Sequence, residues 1–154
     1  MDFREVLGTS SLRRLRFVEL LYASQVGLPS DQLLEELECS LPILLKDVKL
    51  INDEQEDFHI EKFKGLYQIN VKPHVSINRL YADVLQQAPE FQIIEELLYE
   101  KCSSISDLAE KLYLSASNTQ RYLKKIETAL KKAGIKLDYR PLRIEGKESV
   151  IRHF

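Results

Sequence analysis

The sequence repeats one helical unit, and this repeat constrains the fold more than any other feature of the chain. The tetrapeptide ELLY occurs at Glu19–Tyr22 and again at Glu96–Tyr99, 77 positions later. A turn, a short amphipathic segment and a longer one follow each copy, and the second turn is two residues shorter. With that allowance Leu33, Leu37, Ser40, Leu44, Lys46, Val48, Lys49 and Ile51 align with Leu108, Leu112, Ser115, Thr119, Arg121, Leu123, Lys124 and Ile126.

Each copy predicts three helices in the same order. The first helices, at about Leu12–Ser24 and Glu90–Cys102, have apolar residues three and four positions apart. Ser30 or Ser106 is expected to open a short second helix, because serine is a favourable N-cap residue. A third helix is expected to open near Ser40 or Ser115, about four residues beyond the second. This spacing is typical of a helix-turn-helix motif.

Two β-hairpins and one further helix complete the predicted architecture. Residues 58–71 contain a Lys64-Gly65 turn between two β-prone runs, and IKLDYRPLRIEG is a shorter candidate after Gly134, a suitable helix C-cap. Residues 76–89 predict a connecting helix, which begins at Ser76 and ends near Pro89. The expected fold class is mainly α with small β wings: two tandem winged helix-turn-helix domains at 1–73 and 90–146, joined by a connecting helix at 74–89.

Charge is distributed unevenly along the chain. The net charge is only −2. Between Asp31 and Glu61, however, ten acidic residues face two lysines, a balance of −8. Between Lys111 and Arg143, nine basic residues face two acids, a balance of +7. Such asymmetry indicates a polyanionic partner for the C-terminal half.

The third helix of the second unit has the side chains that read DNA. On a helical wheel its apolar stripe is Thr119, Leu123, Ile126, Leu130 and Ala133, and polar residues occupy the opposite side. Arginine can bind guanine, asparagine or glutamine can bind adenine, and lysine neutralises phosphate. A solvated charged face is the alternative explanation. The candidate DNA contacts on this helix and the following wing are Ser117, Asn118, Gln120, Arg121, Lys124, Lys125, Lys131, Lys132, Lys136, Arg140 and Arg143.

The third helix of the first unit is less suited to reading bases. Its outward positions hold Pro42, Lys46, Lys49 and Asp53, without an amide side chain, inside an acidic region that repels phosphate. Secondary candidates for DNA contact are Arg13, Arg14, Lys46, Lys49, Lys62 and Lys64. A protein-interaction role for this unit stays open. For the whole chain, the rival to DNA binding is a degenerate winged-helix interaction module that does not contact DNA.

Several other classes of protein are disfavoured. The sequence has no glycine-rich phosphate loop, no G-x-S-x-G motif and no zinc-ligand spacing, so we expect no catalytic residue, no metal and no cofactor. Its two cysteines do not form a disulfide framework. Because no apolar stretch is long enough to span a membrane and the first residues lack a signal core, a cytoplasmic location is expected, without membrane contact or a small-molecule substrate.

The order of these units, the segment ISDLAEKLYLSASNTQRYLKKIETALKKAGIKL and the closing RIEGKESVIRHF resemble the Mga/RofA-like/AtxA group of regulators from Gram-positive bacteria. The resemblance covers residues 11–154. It implies an activator of virulence or surface-protein genes that binds promoter DNA mainly through its second recognition helix, Ser117–Lys132. It also implies that residues 147–154 begin a truncated regulatory domain, and that the full-length protein can self-associate.

Overall fold

The computed structural model describes residues 3–99 and 102–146. These residues divide into two compact units. The first unit is Thr9–Gln87, and the second consists of the described residues up to Gly8 together with those from Ala88 onward. Both are mainly helical with a small antiparallel sheet, so the predicted fold class, winged helix-turn-helix, is confirmed.

The first unit has four helices and three short strands. They follow the chain as α1 (Thr9–Ala23), β1 (Leu28–Pro29), α2 (Ser30–Leu37), α3 (Leu41–Glu54), β2 (Phe58–Phe63), β3 (Leu66–Val71) and α4 (Ile77–Gln87). The helices bury their apolar stripes around Phe17, Leu33, Leu44 and Leu80, all at most 1% exposed. The α2–turn–α3 pair is the predicted helix-turn-helix.

The predicted hairpin forms the wing of this unit. Strands β2 and β3 pair from Phe58↔Val71 to Phe63↔Leu66, and β1 adds to β3 at Leu28↔Tyr67. Lys64 and Gly65 both have positive φ, which suits a two-residue hairpin turn and is easily adopted by glycine. Asn52 fixes the wing to α3, because its side chain accepts a hydrogen bond from the Ile60 N–H and donates one to the Ile60 carbonyl.

Helix α4 belongs to the first unit rather than to a separate connector. It begins after Ser76, whose Oγ accepts a hydrogen bond from the Arg79 N–H, and it ends at Gln87, as predicted. Its buried residues Leu80 and Val84 pack in the unit whose first helix, α1, it contacts. Residues 74–89 were predicted as a separate connecting helix, but the structure includes α4 in the first compact unit. The reason is that α4 packs on α1 and covers its apolar side.

The second unit repeats the same order with three helices and one hairpin. These are α5 (Pro89–Leu98), α6 (Ile105–Lys111), α7 (Ala116–Lys132), β4 (Lys136–Tyr139) and β5 (Leu142–Glu145). Its core contains Ile93, Leu97, Leu108, Leu123 and Ile126, each at most 1% exposed. The β4–β5 wing joins the rest through the Leu142 N–H, which donates to the Ser103 carbonyl at 2.9 Å.

The first residues of the chain are part of this second unit. A 3-10 turn at Phe3–Glu5 leads to Val6 and Leu7, which are both 1% exposed, and Val6 lies in the core cluster with Ile93 and Leu97. The Gly8 N–H donates a 2.8 Å hydrogen bond to Oε1 of Glu90, whose side chain is buried. The predicted boundary, which assigned residues 1–8 to the first domain, therefore differs from the structure.

Three helix boundaries differ from the predicted positions. The N-cap of α2 is Pro29 rather than Ser30, and that of α6 is Ser104 rather than Ser106, because Ser104 Oγ accepts the Asp107 N–H. The helix predicted to reach Cys102 ends at Leu98. Residues 147–154, predicted to begin a following domain, lie outside the described residues.

Candidate nucleic-acid interface

Local backbone motifs fix both ends of α7. Ser115 Oγ accepts a hydrogen bond from the Asn118 N–H at 3.1 Å, and the Thr119 hydroxyl donates to the Ser115 carbonyl at 2.8 Å. At the other end Gly134, with φ +77, donates to the Lys131 carbonyl, and the Ile135 N–H donates to the Leu130 carbonyl. This pair of bonds is a Schellman motif, which ends the helix and starts the wing.

The core stripe of α7 follows the predicted wheel. Thr119, Leu123, Ile126 and Leu130 are buried, and Ala129 joins them. Ala133, predicted for the same stripe, is half-buried as the C-cap. The opposite side is therefore free of packing. It exposes Ser117, Gln120, Arg121, Lys124, Lys125, Thr128, Lys131 and Lys132.

Two of the candidate readers are linked to each other. Arg121 Nη2 donates a 2.6 Å hydrogen bond to Oδ1 of Asn118, one turn earlier on the exposed side. The bond orients the Arg121 guanidinium and leaves its other N–H groups for a ligand, because arginine has five donors. Gln120, next to Arg121, is exposed and has no hydrogen bond to another described residue. The first two turns of α7 thus present three side chains that can bind base edges.

The charge of α7 is strongly positive. Five basic residues face a single acid, Glu127. That acid is engaged by the wing, since the Tyr139 hydroxyl donates to Glu127 Oε2 at 2.6 Å. Burial, followed by this contact with Glu127, raises the pKa of Tyr139 to about 12, so the phenol is protonated at neutral pH and keeps donating. Sequence analysis did not identify this link between helix and wing.

Some of the basic residues that produce the +7 balance are paired inside the unit. Lys111 Nζ lies 2.8 Å from Glu96 Oε2, and this hydrogen bond raises the pKa of Lys111. In the wing, Lys136 lies 3.3 Å from Asp138, and Arg143 pairs with Glu145. Arg140 is exposed in the turn after β4. Of the three wing candidates, Arg140 is therefore the one with no ion pair to another described residue.

The first unit presents a different surface at the corresponding positions. In the repeat alignment, Lys46 and Lys49 of α3 take the places of Arg121 and Lys124. The polar Asn118 and Gln120, however, correspond to Ile43 and Leu45, which are exposed. The first turns of α3 thus present exposed lysines and no side chain that can form paired hydrogen bonds with a base.

The other secondary candidates are engaged within the first unit. Arg13 donates to both oxygens of Asp47, at 2.5 and 3.0 Å, and Arg14 lies 3.6 Å from the same carboxylate. The hydrogen bond to Asp47 raises the pKa of Arg13. In the wing, Lys62 lies over the Tyr67 ring at 5.4 Å and Lys64 over the Phe63 ring at 5.3 Å. Arg13 and Arg14 are therefore structural, and the wing lysines stay exposed.

Other kinds of site find no support among the described residues. In the described ranges, no group of three or more histidine, cysteine or acidic side chains is arranged to hold a metal ion. No helix within residues 3–99 and 102–146 is both long and apolar enough to cross a membrane. Cys39 and Cys102 are free thiols.

Two winged helix-turn-helix units, one with a basic and exposed third helix, define the class of helix-turn-helix regulators. The chain belongs to the Mga helix-turn-helix domain family, whose description matches residues 73–154, and so to a family of transcription regulators rather than enzymes. The match includes α4 and all described elements from α5 to β5.

Curated relatives come from Bacillus anthracis. The capsule synthesis positive regulator AcpA is 31% identical over 139 residues, which cover 88% of this chain and 29% of AcpA. AcpB, described in the same words, is 29% identical over the same shares. The anthrax toxin expression trans-acting positive regulator is 26% identical over 80% of this chain and 26% of its own length. The chain thus spans less than a third of each of these relatives.

Solved structures match the chain more loosely. ScpB from Mycobacterium tuberculosis covers 96% of this chain and 96% of its own, at 12% identity and a TM-score of 0.37. A superposition at this level carries no argument about the function of the chain.

Proposed function

We propose that this chain binds double-stranded promoter DNA through α7, as the DNA-binding region of a cytoplasmic regulator that activates virulence or surface-protein genes. The observation that carries the proposal is the free edge of α7, where Gln120, Arg121 and Lys124 are exposed opposite the core stripe. Membership of a helix-turn-helix family of positive regulators supports the same role.

Each part of the α7 surface has a distinct task in this proposal. Arg121, oriented by Asn118, reads guanine through two parallel hydrogen bonds, and Gln120 reads adenine. Lys124, Lys125, Lys131 and Lys132 neutralise phosphates on either side of the groove. The helix N-terminus at Ala116 and Ser117 offers backbone N–H groups to a further phosphate.

The division between base readers and phosphate contacts is directly testable. We expect Arg121→Ala to weaken binding to a specific site by about 1–3 kcal/mol and to relax preference at one base pair. Lys131→Ala should weaken binding to all sequences alike and lower the salt slope by about one unit. Competition anisotropy with a promoter duplex and a scrambled duplex measures both effects. Unchanged discrimination in Arg121→Ala would exclude that residue as a reader.

The two third helices are predicted to contribute unequally. Lys124→Glu places a negative charge on the proposed DNA surface. Lys46→Glu changes a residue of α3, the one that aligns with Arg121, in a region that is already acidic. We therefore expect Lys124→Glu to reduce DNA affinity much more than Lys46→Glu, with anisotropy at fixed salt as the measurement. The opposite ranking would mean that α3, and not α7, is the main docking helix.

The second candidate function is an interaction module that does not bind DNA, and the exposed leucines of α3 favour it. DNA binding that falls steeply with salt supports the first candidate, since each neutralised phosphate contributes about one unit to the log–log slope. A chain that binds no duplex even at low salt supports the second.

A further inference from the structure

The first turns of α3 expose apolar side chains where the first turns of α7 expose mostly polar ones. We use the term α3 face for Leu41, Pro42, Ile43 and Leu45, which lie in the first turns of this helix. In the repeat alignment their counterparts are Ala116, Ser117, Asn118 and Gln120. Both helices have a serine at the N-cap position and a buried stripe, but their outward side chains in the first turns differ in polarity.

The exposure of the α3 face is not required by packing within the unit. Leu41, Ile43 and Leu45 are 45%, 40% and 50% exposed, although Leu44 and Ile51 of the same helix are buried. An exposed apolar side chain loses about 25 cal/mol of burial free energy for every Å² of its surface that stays in water. Clustered apolar exposure on one element is a common mark of a protein-binding surface.

The surroundings of the α3 face decide which partner fits. Helix α2 and its C-cap precede this face and expose Asp31, Glu35 and the capping residue Glu38, none of which forms an ion pair with another described residue. Glu36 has only a 3.8 Å contact with Arg16, and both side chains are about half exposed. On the other side of the face, Lys46 and Lys49 are exposed along α3. Carboxylates therefore precede the α3 face along the chain, and lysines follow it along α3.

We propose that the α3 face docks an amphipathic helix of a protein partner, with apolar anchors along one stripe and lysine or arginine along one edge. The apolar stripe packs against Leu41 and Leu45, and the basic edge pairs with Glu35 of α2 and with Glu38, the residue that caps α2. Lys46 and Lys49 exclude basic residues from the other edge. Duplex DNA fits this surface poorly, because uncompensated carboxylates repel phosphate and leucine cannot form hydrogen bonds with base edges.

The test uses the whole 154-residue chain and synthetic peptide probes. The first probe is a fluorescent helix of about 18 residues with leucines at i, i+3, i+4 and i+7 and lysines along one edge. The second probe has glutamate at every lysine position. Anisotropy titrations at physiological salt are expected to show that the basic probe binds at least about tenfold tighter than the acidic probe.

Variants of the α3 face separate docking from general charge attraction. The double substitution Leu41→Ala with Leu45→Gln installs the residues that α7 has at these positions, and both sites are exposed, so the fold is retained and circular dichroism checks this. We expect at least about tenfold weaker binding of the basic probe. Val26→Ser is the matched control, because Val26 is exposed in the same unit but lies outside α3. It should bind like the unaltered chain.

Four results would overturn the proposal. The first is binding of neither probe, or of both equally well. The second is unchanged binding of the basic probe by the double variant. The third is a loss of duplex DNA affinity in the double variant, which would make the α3 face a DNA surface. The fourth is self-association in sedimentation that the double variant abolishes, which would make a second copy of the chain the occupant. The first, second and fourth results do not depend on whether α7 binds DNA.

Discussion

Asp47 lies buried on α3 because Arg13 donates two hydrogen bonds to its carboxylate. The Asp47 side chain is 1% exposed and that of Arg13 is 14% exposed, so the pair is largely removed from water. A buried carboxylate without such a partner would carry a large desolvation penalty. The pair therefore fixes α1 against α3 and accounts for an acidic residue on the core stripe of a helix.

At this scale we predict a clear difference between two neighbouring arginines. Arg13→Ala leaves Asp47 buried with only Arg14 near it, and should lower the free energy of unfolding by about 3 kcal/mol. Arg16→Ala, which removes the exposed contact with Glu36, should cost less than about 1 kcal/mol. Urea unfolding followed by circular dichroism measures both. If Arg13→Ala leaves stability unchanged but weakens DNA binding, Arg13 is a DNA contact instead.

Counting charges in the sequence could not distinguish an arginine in a buried ion pair from an exposed one. Arg13 and Arg14 look like any other cluster of basic residues, and the acid that engages them is more than thirty positions away. The exposure of the proposed readers on α7 was predictable, because a helical wheel needs only local sequence once the apolar stripe is known. Long-range ion pairs leave no periodic signal of that kind.

Helices α6 and α7 both begin with a serine cap. Ser104 Oγ accepts the Asp107 N–H, and Ser115 Oγ accepts the Asn118 N–H, each at 3.1 Å. In α7 the cap also positions the first turn, in which Ser117 and Asn118 face outward. The start of the proposed reading helix thus depends on one hydroxyl.

Removing that hydroxyl should destabilise the second unit without removing a reader. We expect Ser115→Ala to cost about 1 kcal/mol of unfolding free energy, and Ser115→Asp to retain stability because aspartate is also a good cap. Thermal unfolding of the three proteins gives the comparison. Equal stability of the alanine and aspartate variants would show that the cap contributes nothing. A fall in DNA affinity for aspartate alone would indicate a phosphate near this position.

The predicted caps show where local reasoning works and where it stops. Ser40, Ser76 and Ser115 were identified correctly, since each directly precedes an apolar-periodic segment. Ser106 was wrong. Ser103, Ser104 and Ser106 compete in one short stretch, and the Leu142 N–H donates to the Ser103 carbonyl, a bond from the distant wing. Tertiary contacts therefore help to choose among locally similar candidates.

The two units of the whole molecule do not follow each other simply along the chain. Val6 lies in the core cluster of the second unit, the next residue, Leu7, is also buried, and Gly8 donates to the buried Glu90. The repeat predicted two similar units correctly, but it assigned these residues to the wrong one. Two apolar residues beside a glycine form too short a pattern to show a period, so their partner could not be predicted from sequence.

At this scale we predict that the N-terminal residues stabilise the proposed DNA-binding unit. Val6→Ala should lower the unfolding free energy of the second unit by about 2 kcal/mol, because a buried valine of its core is truncated. Hydrogen exchange should become faster in α5 and α7 and stay unchanged in α1 and α3. Val26→Ala, at an exposed site, is the control and should alter neither. Faster exchange in α1 alone would contradict the assignment.

This arrangement has a consequence for protein synthesis. Val6 and Leu7 leave the ribosome about eighty residues before α5 begins, an interval of roughly 4 to 16 seconds at ordinary translation speeds. Thr9–Gln87 can fold during that interval. Val6 and Leu7 stay exposed to solvent until the residues from Ala88 onward have been synthesised. The domain proposed to bind the promoter is therefore completed last, by residues that are translated before the whole of the first unit.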